Sequence, residues 1–239
     1  MELNIICTKQ PDEIENCLNA SEREHLNRFQ FEKERIEYSF AHNLKRHVLS
    51  NVYPKQDKKK WEFYSDVNGK PSVKEPLSFN LSHSHGAVAI AVILGENQLN
   101  IGVDIECYKE IDNVWDLAEM VLHPEELGYL SKESNISKSF YKIWTAKESL
   151  LKAAGCGLND RLNTINCVAS LDNKKYKQHW QGSDYWLQTV CLGWGALSVS
   201  WHVSIPVDAL VRRQLVATST RSMHYDERSA IGRPFIVSC

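Results

Sequence analysis

The sequence predicts an α+β fold built from two similar halves. The order of a strand, a long helix and several short strands occurs twice along the 239 residues, and hydrophobic and charged residues make up 43% and 24%, as is typical of a globular protein. No identity of residues accompanies the repeated order, so the duplication is predicted at the level of pattern. The predicted boundaries are 1–98 for the N-terminal half, 99–217 for the C-terminal half and 218–239 for a weakly patterned tail.

The elements of the first half follow from periodicity. The run LNIICT at 3–8 is typical of a strand, and WEFYSDVNGKPSV is typical of two strands around a turn at Asn68 and Gly69. Residues 21–52 are predicted to be mostly helical, because apolar side chains recur every four positions at Ile36, Phe40, Leu44 and Val48.

The middle and second half are predicted in the same way. FNLSHSHGAVAIAVIL and LNIGVDIEC are strand-like, and Gly95, Glu96 and Asn97 between them predict a hairpin. Residues 112–130 are predicted to be helical with a second helix starting near Pro124, and residues 137–154 form a helix that stops at Gly155. Three further strands are predicted in NTINCVAS, YWLQTVCL and ALSVSWHVS.

Composition restricts the compartment and the partners. A formal net charge of −2 provides no basic field for nucleic acid or an anionic membrane, and the longest apolar run, AVAIAVILG, is too short to span a bilayer. The seven cysteines are odd in number and form no C-x-x-C pair, which argues against a secreted disulfide framework and a zinc ribbon. No secretory signal is visible, so we expect a cytoplasmic protein, and we expect a monomer.

The segment GVDIE places two acids on one face of a strand. Asp104 and Glu106 are two residues apart, opposite the apolar face formed by Ile101, Val103 and Ile105. One interpretation is an edge strand with a solvated acidic side. The other is a site for Mg²⁺, which takes one or two carboxylates and leaves room for phosphates.

Two polar segments of the first half contain candidate anion contacts. In FNLSHSHG, Ser82 and His83 could donate to a phosphate oxygen, although a solvated histidine pair in a turn explains the same residues. In NGKP, Lys70 follows the turn and is either a phosphate contact or a solvated lysine.

The helix segment IWTAKESLLKAAGCGL carries Glu148 and Lys152 one turn apart in an apolar setting. A surface ion pair at this spacing contributes only about 0.2–0.5 kcal/mol, and the alternative is that both side chains face a ligand. With GVDIE, this helix supplies three acids for a divalent metal and a lysine for polyphosphate, which is the equipment of phosphoryl-group transfer. No phosphate-binding loop of the G-x-x-x-x-G-K-[ST] type is present.

In the order NGKP, FNLSHS, GVDIE and WTAKESLLKAAGCGL, the sequence resembles the 4′-phosphopantetheinyl transferases of the surfactin-synthetase-activating type. The resemblance covers roughly residues 21–158. It implies two α/β halves related by a pseudo-twofold axis with coenzyme A in the cleft between them. It also implies transfer of the phosphopantetheine arm of coenzyme A to a serine of an apo acyl or peptidyl carrier protein, with release of adenosine 3′,5′-bisphosphate.

The resemblance also implies roles for individual residues. Asp104, Glu106 and Glu148 match the magnesium ligands, and Glu148 also matches the acid that deprotonates the carrier serine. Lys152 matches the lysine at the pyrophosphate. Contacts to coenzyme A or its phosphates are matched by Gly69, Lys70, Asn80, Ser82 and His83. Glu126, in HPEE, resembles another glutamate of the family.

This sequence departs from the family pattern at two places. The family usually has Lys or Arg four residues before the phenylalanine of its first helix, for the 3′-phosphate; here that residue is His25, with Arg23 and Arg28 nearby. The chain also continues past the family's usual last strand, through 218–239.

Two other functions use the same residues. A catalytically inactive relative would bind coenzyme A or a carrier protein without transfer, and a metal-dependent pyrophosphohydrolase would use water as the nucleophile. If a carrier docks, the expected surface flanks residues 114–130, through the apolar side chains Trp115, Leu117, Met120 and Leu122 and the nearby Lys138 and Lys142. The alternative is that these four apolar residues pack the core.

Overall fold

The computed structural model describes residues 1–9, 14–95, 99–157, 161–207 and 209–214. Its strands are β1 (Glu2–Lys9), β2 (Tyr64–Ser65), β3 (Pro71–Ser72), β4 (Leu77–Ser84), β5 (Ala87–Leu94), β6 (Ile101–Cys107), β7 (Tyr176–Trp180), β8 (Ser183–Leu192), β9 (Gly195–His202) and β10 (Ala209–Gln214). Its α-helices are α1 (Ala20–Leu26), α2 (Glu32–Val52), α3 (Val114–Val121), α4 (Pro124–Leu130) and α5 (Ile136–Ala154). Mixed helix and sheet confirm the α+β class.

The strands form two four-stranded sheets and one short ribbon. The first sheet has the order β10-β1-β5-β4, the second has the order β6-β9-β8-β7, and β2 pairs with β3. All pairings are antiparallel except that of β1 with β10. The last described strand therefore returns from the second sheet to the edge of the first.

Alternation along the strands explains how the sheets are packed. In β5, Val88, Ile90 and Val92 pack against α2, whereas Ala89 and Ala91 face the second sheet. The face of the second sheet that meets them is formed by Ile101, Val103, Ile105, Leu197 and Val199. Helix α5 covers the other side of that sheet, where Ile143 and Leu150 join Leu187 in a third cluster. A long helix thus packs against each sheet, and the predicted pseudo-twofold relation of the halves stays a prediction.

The predicted hairpin at residues 95–97 is wrong. Strand β5 is already flanked by β1 and β4, so β6 cannot pair with it and instead pairs with β9 in the other sheet. The hairpin lies one strand earlier, where His85 and Gly86 have φ of 49° and 80° and join β4 to β5. Glu96 and Asn97 themselves lie outside the described residues.

The strand predicted in NTINCVAS is also wrong. This segment forms two short 3₁₀ turns, Leu162–Thr164 and Val168–Ser170. Buried side chains take up its backbone groups: Lys147 Nζ donates to the carbonyls of Leu162 and Ile165, at 2.7 and 2.6 Å. Groups held in this way are not free for a sheet ladder. The predictions also missed β7 and β10.

The helix predictions are confirmed with local changes. The segment 21–52 divides into α1 and α2, α5 ends at Gly155 in the left-handed conformation, and α3 and α4 occupy the predicted 112–130. Ile36, predicted to lie on the apolar face of α2, is exposed. Within the described residues, no helix is long and apolar enough to cross a bilayer. The predicted tail, 218–239, lies outside the described residues.

Candidate functional site

Strand β6 and helix α5 bring the predicted acids and lysine together. Gly102 is essential to this approach, because a Cβ atom there would lie 2.1 Å from the carbonyl oxygen of Ser149 on α5. Only glycine lets the helix backbone rest on the strand at this point. Asp104 and Glu106 lie on the same face of β6 as Gly102, so they point toward the helix that carries Glu148 and Lys152.

Asp104 is the centre of the polar contacts. It is 4% exposed, and its Oδ1 accepts hydrogen bonds from Ser82 Oγ at 2.7 Å and from Lys152 Nζ at 2.6 Å. Lys152 Nζ also lies 3.2 Å from Ser82 Oγ. The predicted lysine, acid and serine therefore form one connected group, with the ammonium partly exposed.

The other two carboxylates are held in an environment that resists their ionisation. Burial raises the pKa of Glu148 to about 7, with a further rise from Asp104 that Lys152 opposes. Burial likewise raises the pKa of Glu106, although a hydrogen bond from Ser84 Oγ opposes the shift. A buried carboxyl with a pKa near neutrality is able both to hold and to release a proton at physiological pH.

The donor set suits a hard divalent cation. Among the residues that the structure describes, Asp104 Oδ2 and Glu148 Oε1 are buried without a hydrogen-bond partner, and carboxylate oxygens are the ligands that Mg²⁺ prefers. A cation would offset the repulsion between the acids and satisfy these oxygens. The three acids are nevertheless not as close together as the ligands of a bound ion. Among the described residues, three ligand atoms within 4.8 Å of one another are found elsewhere, at Glu15, Cys17 and His47.

Strand β4 contributes to the site through alternate polar side chains. Ser78, Asn80, Ser82 and Ser84 line the face toward β6, and Asn80 Oδ1 accepts a hydrogen bond from the backbone N–H of Val103 at 2.8 Å. These contacts join the edge strands of the two sheets. Asn80 and Ser82 are buried at this junction of β4 and β6, the seam between the sheets, whether or not they also contact a ligand.

His83 lies within strand β4 and not in a turn, which is one of the two interpretations of this segment from the sequence. Its side chain is exposed, and burial of part of the ring lowers its pKa, with a further lowering from Lys152 and an opposing effect of Glu37 and Asp104. A neutral imidazole retains one N–H donor, which is what a phosphate contact requires.

The NGKP turn packs on the C-terminal end of α5. Gly69 has φ of 81°, Asn68 Nδ2 donates to the carbonyl of Gly155 at 2.7 Å, and Lys70 Nζ donates to the carbonyls of Ile101 and Lys152 at 2.9 and 2.8 Å. The carbonyls of Lys152 and Gly155 are among those that the end of a helix leaves free, and the carbonyl of Ile101 belongs to β6. Burial lowers the pKa of Lys70 to about 8. Lys70 therefore stabilises the helix that carries Lys152.

Arg23 and His25 lie on α1 and contact the α1–α2 region. The Arg23 guanidinium donates to the carbonyl of Leu18, and the His25 ring stacks on Tyr38 with centroids 5.0 Å apart. Phe29 lies edge-on to His25 at 5.4 Å. Arg28 is exposed and pairs with Glu24.

Sequence reasoning missed the role of Lys147, which precedes Glu148. Glu126 and Lys147 are both fully buried and form an ion pair at 2.7 Å. Glu126 also accepts hydrogen bonds from the N–H groups of His123 and Cys167, both at 2.8 Å. The pair joins α4, α5 and the 3₁₀ segment, which gives Glu126 a structural role.

Comparison with known proteins finds similarity in the part of the chain that contains the same residues. Residues 100–192 match the model of the 4′-phosphopantetheinyl transferase superfamily, a region that contains β6, α5 and all three acids. The 4′-phosphopantetheinyl transferase gsp of Aneurinibacillus migulanus is 36% identical over 43% of this chain and 42% of its own length. HetI of Nostoc sp., also named a 4′-phosphopantetheinyl transferase, is 30% identical over 62% of this chain and 64% of its own length.

A third relative, the 4′-phosphopantetheinyl transferase psf-1 of Bacillus pumilus, is 28% identical over 70% of each chain. The chain thus spans about two fifths of the length of gsp and less than two thirds of HetI. The resemblance predicted from the motifs is confirmed by these matches.

Proposed function

We propose that this chain, which is similar to the 4′-phosphopantetheinyl transferase superfamily, transfers the 4′-phosphopantetheine arm of coenzyme A to a serine of an apo acyl or peptidyl carrier protein. Adenosine 3′,5′-bisphosphate is the second product. The observation that carries the proposal is the group formed by Asp104, Glu148 and Lys152, which lies within the matched residues 100–192.

The proposed reaction is a phosphoryl transfer between two oxygens. The carrier serine oxygen forms a bond to the phosphorus next to the pantetheine arm, the bond from that phosphorus to the bisphosphate breaks, and the serine proton passes to Glu148. Glu148, a carboxylate within the proposed site, is a suitable acceptor for this proton. Lys152, one helical turn from Glu148, supplies positive charge for the phosphate oxygens.

Asp104, Glu106 and Glu148 would hold the magnesium ion. Their fit is supported by the unpartnered oxygens of Asp104 and Glu148 and by the burial, together with the neighbouring Asp104 charge, that raises the pKa of Glu106 and Glu148. When bound, Mg²⁺ supplies charge stabilisation to the transferring phosphate.

Coenzyme A would bind along the seam of β4 and β6, in a cleft between the halves 1–98 and 99–217. Ser82 and His83 are its proposed phosphate contacts, and Ser82 already lies 3.2 Å from the Lys152 ammonium. The other proposed contacts to coenzyme A are Gly69, Lys70 and Asn80, with Arg23 and His25 for the 3′-phosphate.

The carrier protein would dock beside α3 and α5. Trp115, Leu117 and Met120 are 39%, 38% and 74% exposed, which favours docking over core packing for these three, whereas Leu122 is buried as the alternative predicted. A cavity of about 220 Å³ adjoins them, lined by Ile111, Leu117, Phe140, Tyr141 and Trp144. Lys138, exposed at the start of α5, adds a positive charge for an acidic carrier.

We also place the protein in the cytoplasm as a monomer. Among the residues that the structure describes, no two cysteines form a disulfide, which agrees with a reducing compartment.

A panel of apo carrier proteins, each incubated with coenzyme A and Mg²⁺, tests the proposal. The expected result is a mass increase of one carrier by a phosphopantetheine group with equal release of the bisphosphate. Bisphosphate release that proceeds equally without any carrier would indicate a pyrophosphohydrolase. Coenzyme A binding without transfer to any carrier of fatty acid, polyketide or nonribosomal peptide synthesis would indicate an inactive relative.

A further inference from the structure

A second cluster of metal-ligating side chains lies in the first half of the chain. The carboxylate of Glu15, the Sγ atom of Cys17 and a ring nitrogen of His47 all lie within 4.8 Å of one another. Glu15 and Cys17 belong to the segment before α1, and His47 belongs to α2. None of these residues takes part in the proposed transfer.

The two strongest ligands are already at the separation that a single ion imposes. Cys17 Sγ lies 3.4 Å from His47 Nε2. Zinc binds cysteine sulfur at about 2.3 Å and histidine nitrogen at about 2.0–2.1 Å, so at a tetrahedral angle the two atoms are about 3.5 Å apart. An ion can enter between them with little movement of either side chain.

The backbone fixes the thiol beside the imidazole. Asn43 Oδ1 accepts a hydrogen bond from the Cys17 N–H at 2.6 Å. Asn43 and His47 are four residues apart on α2, so they lie on the same helix face, and the contact that anchors Cys17 also directs it toward His47. Cys17 is 3% exposed, which shields a metal–thiolate bond from water.

The charges around the cluster act in both directions. Lys58 forms an ion pair with Glu15, and Lys59 lies 3.6 Å from the same carboxylate. Both ammonium groups oppose a cation, but their side chains are 30% and 63% exposed and can turn into solvent. The Glu15 carboxylate itself supplies negative charge that attracts a cation.

The same atoms also satisfy one another without an ion. Cys17 Sγ donates to the Glu15 carbonyl at 3.4 Å, and His47 Nε2 lies 3.3 Å from that oxygen. A hydrogen-bonded network alone does not, however, require a carboxylate, a thiol and an imidazole within 4.8 Å of one another.

We propose that Glu15, Cys17 and His47 bind a divalent ion of the zinc type, with water at the remaining tetrahedral position. Binding exchanges the thiol proton of Cys17, which leaves to solvent, for a sulfur–metal bond. The thiolate and imidazole separate this site from the all-carboxylate site, because Mg²⁺ takes oxygen ligands. The ion fastens the segment before α1 to α2.

Titration of the full chain with Co²⁺, in excess Mg²⁺ to occupy the acid site, tests the inference. We expect a thiolate-to-cobalt charge-transfer band that saturates at one equivalent and disappears in Cys17→Ser. The control Cys191→Ser removes an exposed thiol elsewhere and should retain the band. Glu15→Gln, at an exposed position, should keep the band but weaken binding by more than about tenfold.

Absence of the band in the wild-type protein, or an undiminished band in Cys17→Ser, would overturn the proposal. If Cys17→Ser fails to fold by circular dichroism, His47→Gln provides the same readout, with an unchanged saturable band as the contradicting result.

Discussion

Removal of the Lys147 ammonium should cost far more stability than removal of any exposed lysine. In Lys147→Met, the Glu126 carboxylate loses the ammonium partner that lies 2.7 Å away in the wild type, and both side chains are at 0% exposure. The carbonyls of Leu162 and Ile165 lose their donor as well. Breaking one side of a buried pair costs about 3–5 kcal/mol, which for a chain of this size corresponds to a fall in melting temperature of about 6–20 °C.

The assay is urea unfolding, followed by tryptophan fluorescence, of five proteins: the wild type, the single variants Lys147→Met, Lys138→Met and Glu126→Gln, and the double variant. The matched control, Lys138→Met, changes an exposed lysine on the same helix and should shift the free energy of unfolding by less than about 0.5 kcal/mol. Glu126→Gln combined with Lys147→Met should cost less than the sum of the single changes by about 0.5–3 kcal/mol, because no unpaired charge remains. If Lys147→Met lowers the free energy of unfolding by less than about 1 kcal/mol, the buried Glu126–Lys147 pair does not have the stabilising role assigned to it.

Three further predictions concern the proposed site. The pKa of Glu148 in the folded protein is about 7, above its usual 4.5, so its ionisation lowers stability as the pH rises from about 4.5 to 7. Without divalent ions, Glu148→Gln should therefore melt at a higher temperature than the wild type at pH 8 and at the same temperature at pH 4. A difference in melting temperature that does not change with pH would contradict the raised pKa. Lys152→Ala and His83→Ala should each weaken coenzyme A binding by about one to two decades in calorimetry, since a charge-assisted contact contributes roughly 1.5–3 kcal/mol. Unchanged binding in both variants would refute the proposed phosphate contacts. The Michaelis constant for the carrier should rise only a few-fold from low salt to 1 M sodium chloride, where the Debye length is about 3 Å, and a hundredfold rise would show charge-driven docking instead of apolar docking.

The positions of the acids could be predicted from the sequence because their local periodicity is strong. Alternation in GVDIE places Asp104 and Glu106 on one face of a strand, and the i, i+4 spacing places Glu148 and Lys152 on one face of a helix. Local spacing cannot show that the two faces meet. That depends on Gly102, whose missing side chain lets α5 rest on β6.

The errors occurred where distant side chains decide the backbone. The strand β6 has the pattern of a hairpin partner for β5, but the neighbours of β5 come from β1 and β4. The segment that contains Ile165 has strand-like composition, but Lys147 takes its carbonyl. The polar residues at alternate positions of β4 could have predicted this contact. Their period of two indicates one polar face of a strand, and such a face needs hydrogen-bond partners, which β6 provides.

The role of Glu148 in transfer is tested by comparing the wild-type protein with Glu148→Gln, each incubated with coenzyme A, Mg²⁺ and an apo carrier protein whose mass is then measured. We expect the wild type to add one phosphopantetheine group and Glu148→Gln, still folded by its melting curve, to add none on the same timescale. Equal modification of the carrier by both proteins would contradict the assignment of the site.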